Sequence, residues 1–258
     1  MALSTFYYPI SRTNNIDKYA DMRKRIVGIF EVHHKRYGYR RVHMQLLNEG
    51  YLINHKTVQK LMAEMHLKSK VRKVKYKSYK GEVGRIAPNV LNRDFKAEKP
   101  YQKWATDVTE FKIDNKKAYL SPIIDLFNGE IISYTISDHP DLKMVMNMIN
   151  KAQRKVNIVA GLVLHSDQGW HYQHRQYQKT LKQNGIIQSM SRKGNCLDNA
   201  VMENFFGIMK SELLYLEKFK SIWEFKVALR EYIEYYNNER IKLKLKAKSP
   251  VQYRTLYT

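Results

Sequence analysis

The chain has 258 residues, 43% of them hydrophobic, and a net charge of +22 from 46 Lys and Arg against 24 Asp and Glu. That length suffices for one large domain or two smaller ones, and the cation excess points to a polyanionic partner, because basic side chains release counterions from a phosphate backbone; RNA-binding and membrane-surface proteins share this bias. No apolar run approaches the ~18 residues of a membrane span, Met1-Ala2-Leu3-Ser4-Thr5 lacks the pattern of a signal peptide, and the single Cys196 has no internal disulfide partner, so a cytoplasmic protein without a membrane partner is expected.

Charge is uneven along the chain. Residues 1–99 carry 22 Lys and Arg against 8 acids, and residues 100–258 carry 24 against 16. In the front segment, apolar spacing predicts a helix over 17–36, with Asp17 as its cap and Met22, Ile26, Ile29 and Phe30 on one side. Gly38 reads as a stop, 41–48 as a second helix broken by Gly50, and Asn54 as the cap of a third helix with Val58, Leu61, Met62 and Met65 inward. Helix, glycine turn, helix is the outline of a helix-turn-helix, assigned to residues 1–65. His55, Lys56, Gln59 and Lys60 then face outward, either as a DNA-contacting surface or as the solvated basic face of a three-helix bundle.

Residues 66–100 read as a basic linker. From His66 to Lys80 there is no acid, while Lys68, Lys70, Arg72, Lys73, Lys75, Lys77 and Lys80 alternate with Tyr76 and Tyr79. Such a run does not fold alone, because like charges repel and few apolar groups are present. It tracks a phosphate backbone or stays solvated, and Lys70, Arg72 and Lys73 are its candidate DNA contacts.

Residues 101–258 predict a mixed α/β domain. Strands are expected at 103–112, 118–127, 130–137, 161–166 and 186–189, with helices at 141–155, 172–184, 199–216 and 221–237. The short apolar fourth strand suits the centre of a parallel arrangement, and Asn128-Gly129 reads as a type I′ hairpin turn. This order matches a ribonuclease-H-like mixed five-stranded sheet flanked by helices. The placement of acids strengthens that assignment.

Three carboxylates carry the chemistry. Asp107 falls inside the first strand, in Lys103-Trp104-Ala105-Thr106-Asp107-Val108-Thr109, and Asp167 falls just past the carboxyl end of the fourth. A carboxylate in a buried strand is costly unless it is paired or holds a metal. Ligands of an open α/β sheet gather at carboxyl ends of strands where the order reverses, so neighbouring first and fourth strands would let both aspartates share a metal. Glu203 stands near the start of a helix with Met202, Phe205, Phe206, Met209, Leu213 and Leu216 as its apolar stripe. It lies roughly 100° round from Met202, at the flank of that stripe, and Lys210, seven positions on, shares its meridian and is placed to hold a DNA backbone. Two Mg2+ (or Mn2+) ions about 4 Å apart would activate a hydroxyl nucleophile and stabilise the leaving oxygen. Asp198 reads as a cap or loop residue. Asp125, in the second strand, is the rival acid, either catalytic or paired with a basic residue.

Trp104-Ala105-Thr106-Asp107-Val108-Thr109, His165-Ser166-Asp167-Gln168-Gly169 and Ser191-Arg192-Lys193-Gly194-Asn195-Cys196-Leu197-Asp198-Asn199-Ala200-Val201-Met202-Glu203 closely resemble the integrase-type core of insertion-sequence transposases, in particular the second-frame (OrfB) products related to retroviral integrases. The 35 residues between Asp167 and Glu203 equal the interval of the DD(35)E signature. Tyr37-Gly38-Tyr39-Arg40-Arg41 and Asn54-His55-Lys56-Thr57-Val58 resemble the family's N-terminal helix-turn-helix-like segment, and Tyr236-Asn237-Asn238-Glu239-Arg240 with Ser249-Pro250 its C-terminal end. Gln168-Gly169-Trp170-His171 departs from the family pattern. The resemblance implies catalytic and metal-binding roles for Asp107, Asp167 and Glu203, and DNA contacts at Lys210, Arg192, Lys193 and Arg240 beside Lys56 and Lys60. It further implies strand cleavage at element ends, attack of the freed 3′-hydroxyl on target DNA, a homo-oligomer on DNA, and an upstream first-frame (OrfA) protein as partner. A tyrosine nucleophile is not implied, although there are 19 tyrosines. A ribonuclease H or junction resolvase of the same fold, and a non-catalytic DNA-binding regulator, are the competing readings.

Overall fold

The computed structural model describes residues 17–69, 86–158, 160–192 and 196–257. Lys70, Arg72, Lys73 and Lys193, four of the expected DNA contacts, lie outside the described residues, as do Tyr76 and Tyr79. The chain divides near residue 70 into two compact units. The first holds helices α1 (Ala20–Val32), α2 (Tyr39–Asn48) and α3 (His55–Glu64). Ile26, Ile29, Phe30, Val42, Leu46, Val58, Leu61 and Met62 form its core, following the predicted helical spacing. Gly38 proves to be the cap position of α2 rather than only a stop. The Asn54 side chain accepts from Lys56 N at 2.8 Å and so starts α3. His55, Lys56, Gln59 and Lys60 are all exposed on α3.

The second unit is built on one sheet: β1 (Lys103–Thr106), β2 (Thr109–Ile113), β3 (Lys116–Asp125), β4 (Ile131–Ser137), β5 (Val163–Ser166) and β6 (Ile187–Met190). Six strands replace the expected five because the first one breaks at Asp107-Val108. Both pieces pair antiparallel with β3, Thr106 against Ile123 and Thr109 against Leu120, which leaves Asp107 facing Pro122. Proline supplies no amide hydrogen for a ladder, and the Pro122 carbonyl accepts from Thr106 Oγ1 at 2.8 Å instead. The strand opens there, so Asp107 stands at a broken end and not inside a strand.

Of the two turns between these strands, one forms in the gap left between the first and second expected strands and the other departs from expectation. Asp114 and Asn115 both take positive φ between paired Ile113 and Lys116, the backbone of a two-residue primed turn. Asn128-Gly129 does not form one. Of the two only Gly129 has positive φ, and Asn128 is buried, its Nδ2 donating to Pro250 O and its Oδ1 accepting from Glu130 N.

Helices cover both faces of the sheet. They are α4 (Leu142–Lys155), α5 (Trp170–Gln173), α6 (Arg175–Gln183), α7 (Ala200–Met209), α8 (Ile222–Asn238) and α9 (Pro250–Arg254). The single helix expected over 172–184 is interrupted at His174, which is extended and caps α6 by accepting from Gln176 N. The helix expected over 199–216 is α7 followed by a π-helical turn, Lys210–Leu214. Side chains alternate along strands: Trp104 and Ile123 pack with Val145, Met148 and Ile149 of α4, while Ala105 and Ile124 pack with Met202, Phe205 and Met209 of α7.

Two expectations are corrected here. The linker does not run to residue 100: Leu91 is buried, its amide donates to Ser189 Oγ at 3.0 Å, and the Pro88 carbonyl accepts from Met190 N. With the charge run over and an apolar anchor available, this stretch packs on the sheet. Arg240, expected at DNA, is 2% exposed and forms a bidentate pair with Glu212, both bonds 2.7 Å, with Tyr232 donating to the same carboxylate. Its place is in the core between α7 and α8. Arg240→Ala strands a buried carboxylate and is expected to cost about 3–5 kcal/mol, read from the urea midpoint of the full chain. An unchanged midpoint would exclude this role.

Candidate active site

β1 runs parallel to β5, with Lys103 beside Val163, Trp104 beside Leu164 and Ala105 beside His165. Continued by two residues, this register sets Asp107 beside Asp167, and neighbouring strands lie only about 4.8 Å apart. The expectation that the first and fourth strands are neighbours is met. Asp107 follows the parity of Ala105, whose face is covered by α7, and α7 carries Glu203. Both aspartates are partly open to solvent at the strand ends.

Main-chain amides hold these carboxylates. Asp107 Oδ1 accepts from Val108 N at 2.7 Å and Asp167 Oδ1 from Gly169 N at 2.9 Å. Asn199 Nδ2 donates to Asp107 Oδ2 at 2.8 Å, while Asn199 Oδ1 is buried without a partner among the described residues. Burial pushes the Asp107 carboxyl well above the usual carboxylate range; the Asp167 charge and, more weakly, Glu203 push the same way. Burial raises Asp167 too, opposed by the Gly169 amide and His171. Lys210 lies half-buried with Nζ 5.6 Å from the centre of the Phe111 ring. Burial lowers its pKa, and the fields of Asp107 and Glu110 act against that.

Among the described residues no three acidic, His or Cys side chains converge into a closed metal-ligand set. The pair Asp107–Asp167 is the assembled part, with Glu203 the weaker electrostatic neighbour of Asp107. Two adjacent carboxylates short of cationic partners, open to solvent and offering only oxygen, fit a hard divalent cation that also keeps water or phosphate ligands. Asp125 is excluded from this place. Its register partner is Trp104, three residues from Asp107, and it accepts main-chain amides of Tyr101 and Phe127 at 2.7 and 2.9 Å. Burial raises its pKa to about 6.

Integrase core domain families match residues 97–196 and 203–256, and an HTH-like domain family matches residues 17–75. The putative transposase InsK for insertion sequence element IS150 of Escherichia coli (strain K12) is 57% identical over 251 residues, covering 97% of this chain and 89% of that protein. The transposase for insertion sequence element IS904 of Lactococcus lactis subsp. lactis (strain IL1403) is 37% identical over 231 residues, covering 89% and 91%. The chain belongs to the insertion-sequence transposases with an integrase core. Among solved structures, a chain of a simian T-cell lymphotropic virus intasome in complex with PP2A regulatory subunit B56 gamma matches with a TM-score of 0.51 at 17% identity, over 89% of this chain and 74% of that one, which is a likeness of fold.

Several residues of the transposase around the acids escaped the sequence reading. Asn199 stood inside the quoted Asp198-Asn199-Ala200 motif, yet only the fold brings it to Asp107, 92 residues away. Asp198 is more than a loop residue: Arg192, then Arg93, hold its carboxyl well below the usual range. Tyr172 is buried, and its hydroxyl is raised well above its ordinary pKa by burial and by the fields of Asp107 and Asp167.

The raised carboxyls have a stability consequence. The folded, metal-free protein keeps protons that the unfolded chain releases from about pH 4, so stability falls as pH rises through the raised range. With divalent ions chelated, Asp107→Asn is expected to melt above the parent at pH 7.5, with the gap closing near pH 4. Melting curves that coincide at both pH values would mean that the carboxylate is not disfavoured by folding.

Proposed function

We propose that this transposase cleaves the ends of its element and joins the freed 3′-hydroxyl to target DNA by metal-assisted phosphoryl transfer at Asp107, Asp167 and Glu203. The observation that carries the reading is the parallel β1–β5 register, which sets two carboxylates side by side at adjoining strand ends. Two divalent cations, magnesium or manganese, would be held by these three acids and would supply activation of the attacking oxygen and stabilisation of the leaving one.

The chain's own groups do the rest. Val108 N, Gly169 N and Asn199 Nδ2 orient the carboxylates. Lys210, whose ammonium feels the field of Asp107, would hold a backbone phosphate beside them. The exposed Lys56 and Lys60 on α3 would grip DNA from the helical unit, Lys70, Arg72 and Lys73 from the basic run, and Arg192 and Lys193 from the loop before Glu203. The active form in this reading is a homo-oligomer on DNA working with an upstream first-frame protein.

Joining of a pre-cut element end to a plasmid in magnesium or manganese tests the chemistry. Glu203→Gln is expected to slow joining by at least about a hundredfold, a barrier increase of about 2.7 kcal/mol. Joining at the parental rate would remove Glu203 from the site, and cutting confined to the RNA of a hybrid would favour a ribonuclease. The chain alone is expected to bind duplexes of differing sequence with similar affinity at physiological salt; selective binding to one terminal repeat would show that it needs no recognition partner.

A further inference from the structure

The buried carboxylate of Asp198 gathers more donors than a loop anchor requires. It accepts from Asn89 Nδ2 at 3.0 Å, Arg93 Nε at 2.8 Å, Arg192 N at 3.0 Å, Arg192 Nε at 2.9 Å and Arg192 Nη2 at 3.1 Å. Its side chain is 0% exposed, whereas those of Arg93 and Arg192 are 45% and 51% exposed. One guanidinium would neutralise one carboxylate; two leave a net positive charge at the surface. Among the described residues neither Nη atom of Arg93 nor Nη1 of Arg192 has a hydrogen-bond partner. A guanidinium fixed through Nε on a buried acid, with its outer N–H groups turned to solvent, is pre-organised for a phosphate.

The pair also stands where a phosphate is needed. Asp198 adjoins Asn199, which touches Asp107. The Asp198 carbonyl accepts from His165 Nε2 at 2.9 Å, two residues before Asp167. Ser189 Oγ accepts from Leu91 N, so its own hydrogen serves His165 Nδ1 at 2.9 Å. Through these bonds the arginine pair is tied to both strand ends that carry the aspartates.

We propose that Arg93 and Arg192, seated on Asp198, form a phosphodiester-binding clamp that grips a DNA backbone phosphate beside the acids. The inference rests on the DNA-joining reading above, and its test is separable from that of the chemistry. Affinity of the full chain for a short duplex is measured over a range of KCl concentrations for the parent, Arg93→Ala, Arg192→Ala and the double variant. Each single change is expected to lower the slope of log K against log salt by about one, and the double change by about two. Slopes equal to the parent's overturn the clamp, whatever Glu203→Gln does to joining. Because either substitution removes a bond that anchors the loop, the unaltered protein supplies a second measurement: phenylglyoxal labelling of Arg93 and Arg192, mapped by mass spectrometry. Duplex is expected to shield both side chains, and equal labelling with and without bound duplex overturns the proposal.

Discussion

Everything at this site depends on the parallel pairing of β1 with β5. Two strands whose registers differ by a constant 60 residues bring Asp107 and Asp167 to the same edge of the sheet. Like charges at that spacing repel, and water is too scarce there to screen them fully. The surrounding structure answers this constraint. Pro122 interrupts the ladder so that Asp107 leaves the sheet, amide hydrogens of Val108 and Gly169 point at the carboxylates, and Asn199 reaches across from the next helical segment. The packing of Met202, Phe205 and Met209 against Ala105 seats the helix that carries Glu203.

Two aspartates in this unit show how environment rather than residue type sets behaviour. Asp198 is buried, Asp107 is half-buried, and both accept hydrogen bonds. Asp198 meets two guanidiniums and is held ionised. Asp107 meets neutral amides and another carboxylate, and is held toward its protonated form. The first is a satisfied ion pair. The second is an unmet demand for positive charge, which is the condition a cation-binding site requires before its cation arrives. Arg240 with Glu212 belongs to the first kind, and its bidentate geometry serves the junction of α7 and α8.

Much of this was legible along the chain. The apolar spacing of α1 to α3, the Asn54 cap and the run of strands and helices follow from local rules: helical period, side-chain capping and strand alternation. The strand break at Asp107 was not legible, because it depends on Pro122 facing it from another strand. The Asn128-Gly129 turn misled for a similar reason, since Pro250, 122 residues away, captures the Asn128 side chain. Arg240 was assigned to DNA through the resemblance of its segment; its partner Glu212 lies 28 residues earlier and meets it only when α8 folds back.

The amino-acid sequence by itself determined which segments are helical or extended, since that follows from residue type and from spacing within a few turns. Its basic composition likewise determined the class of partner. Tertiary structure alone decided which acids meet. It set Asp107 against Asp167 and left Asp125 at the far end of its strand, because inter-strand register is a property of pairs. It also turned Asp198 from a loop acid into the seat of two arginines, by bringing together segments more than 100 residues apart.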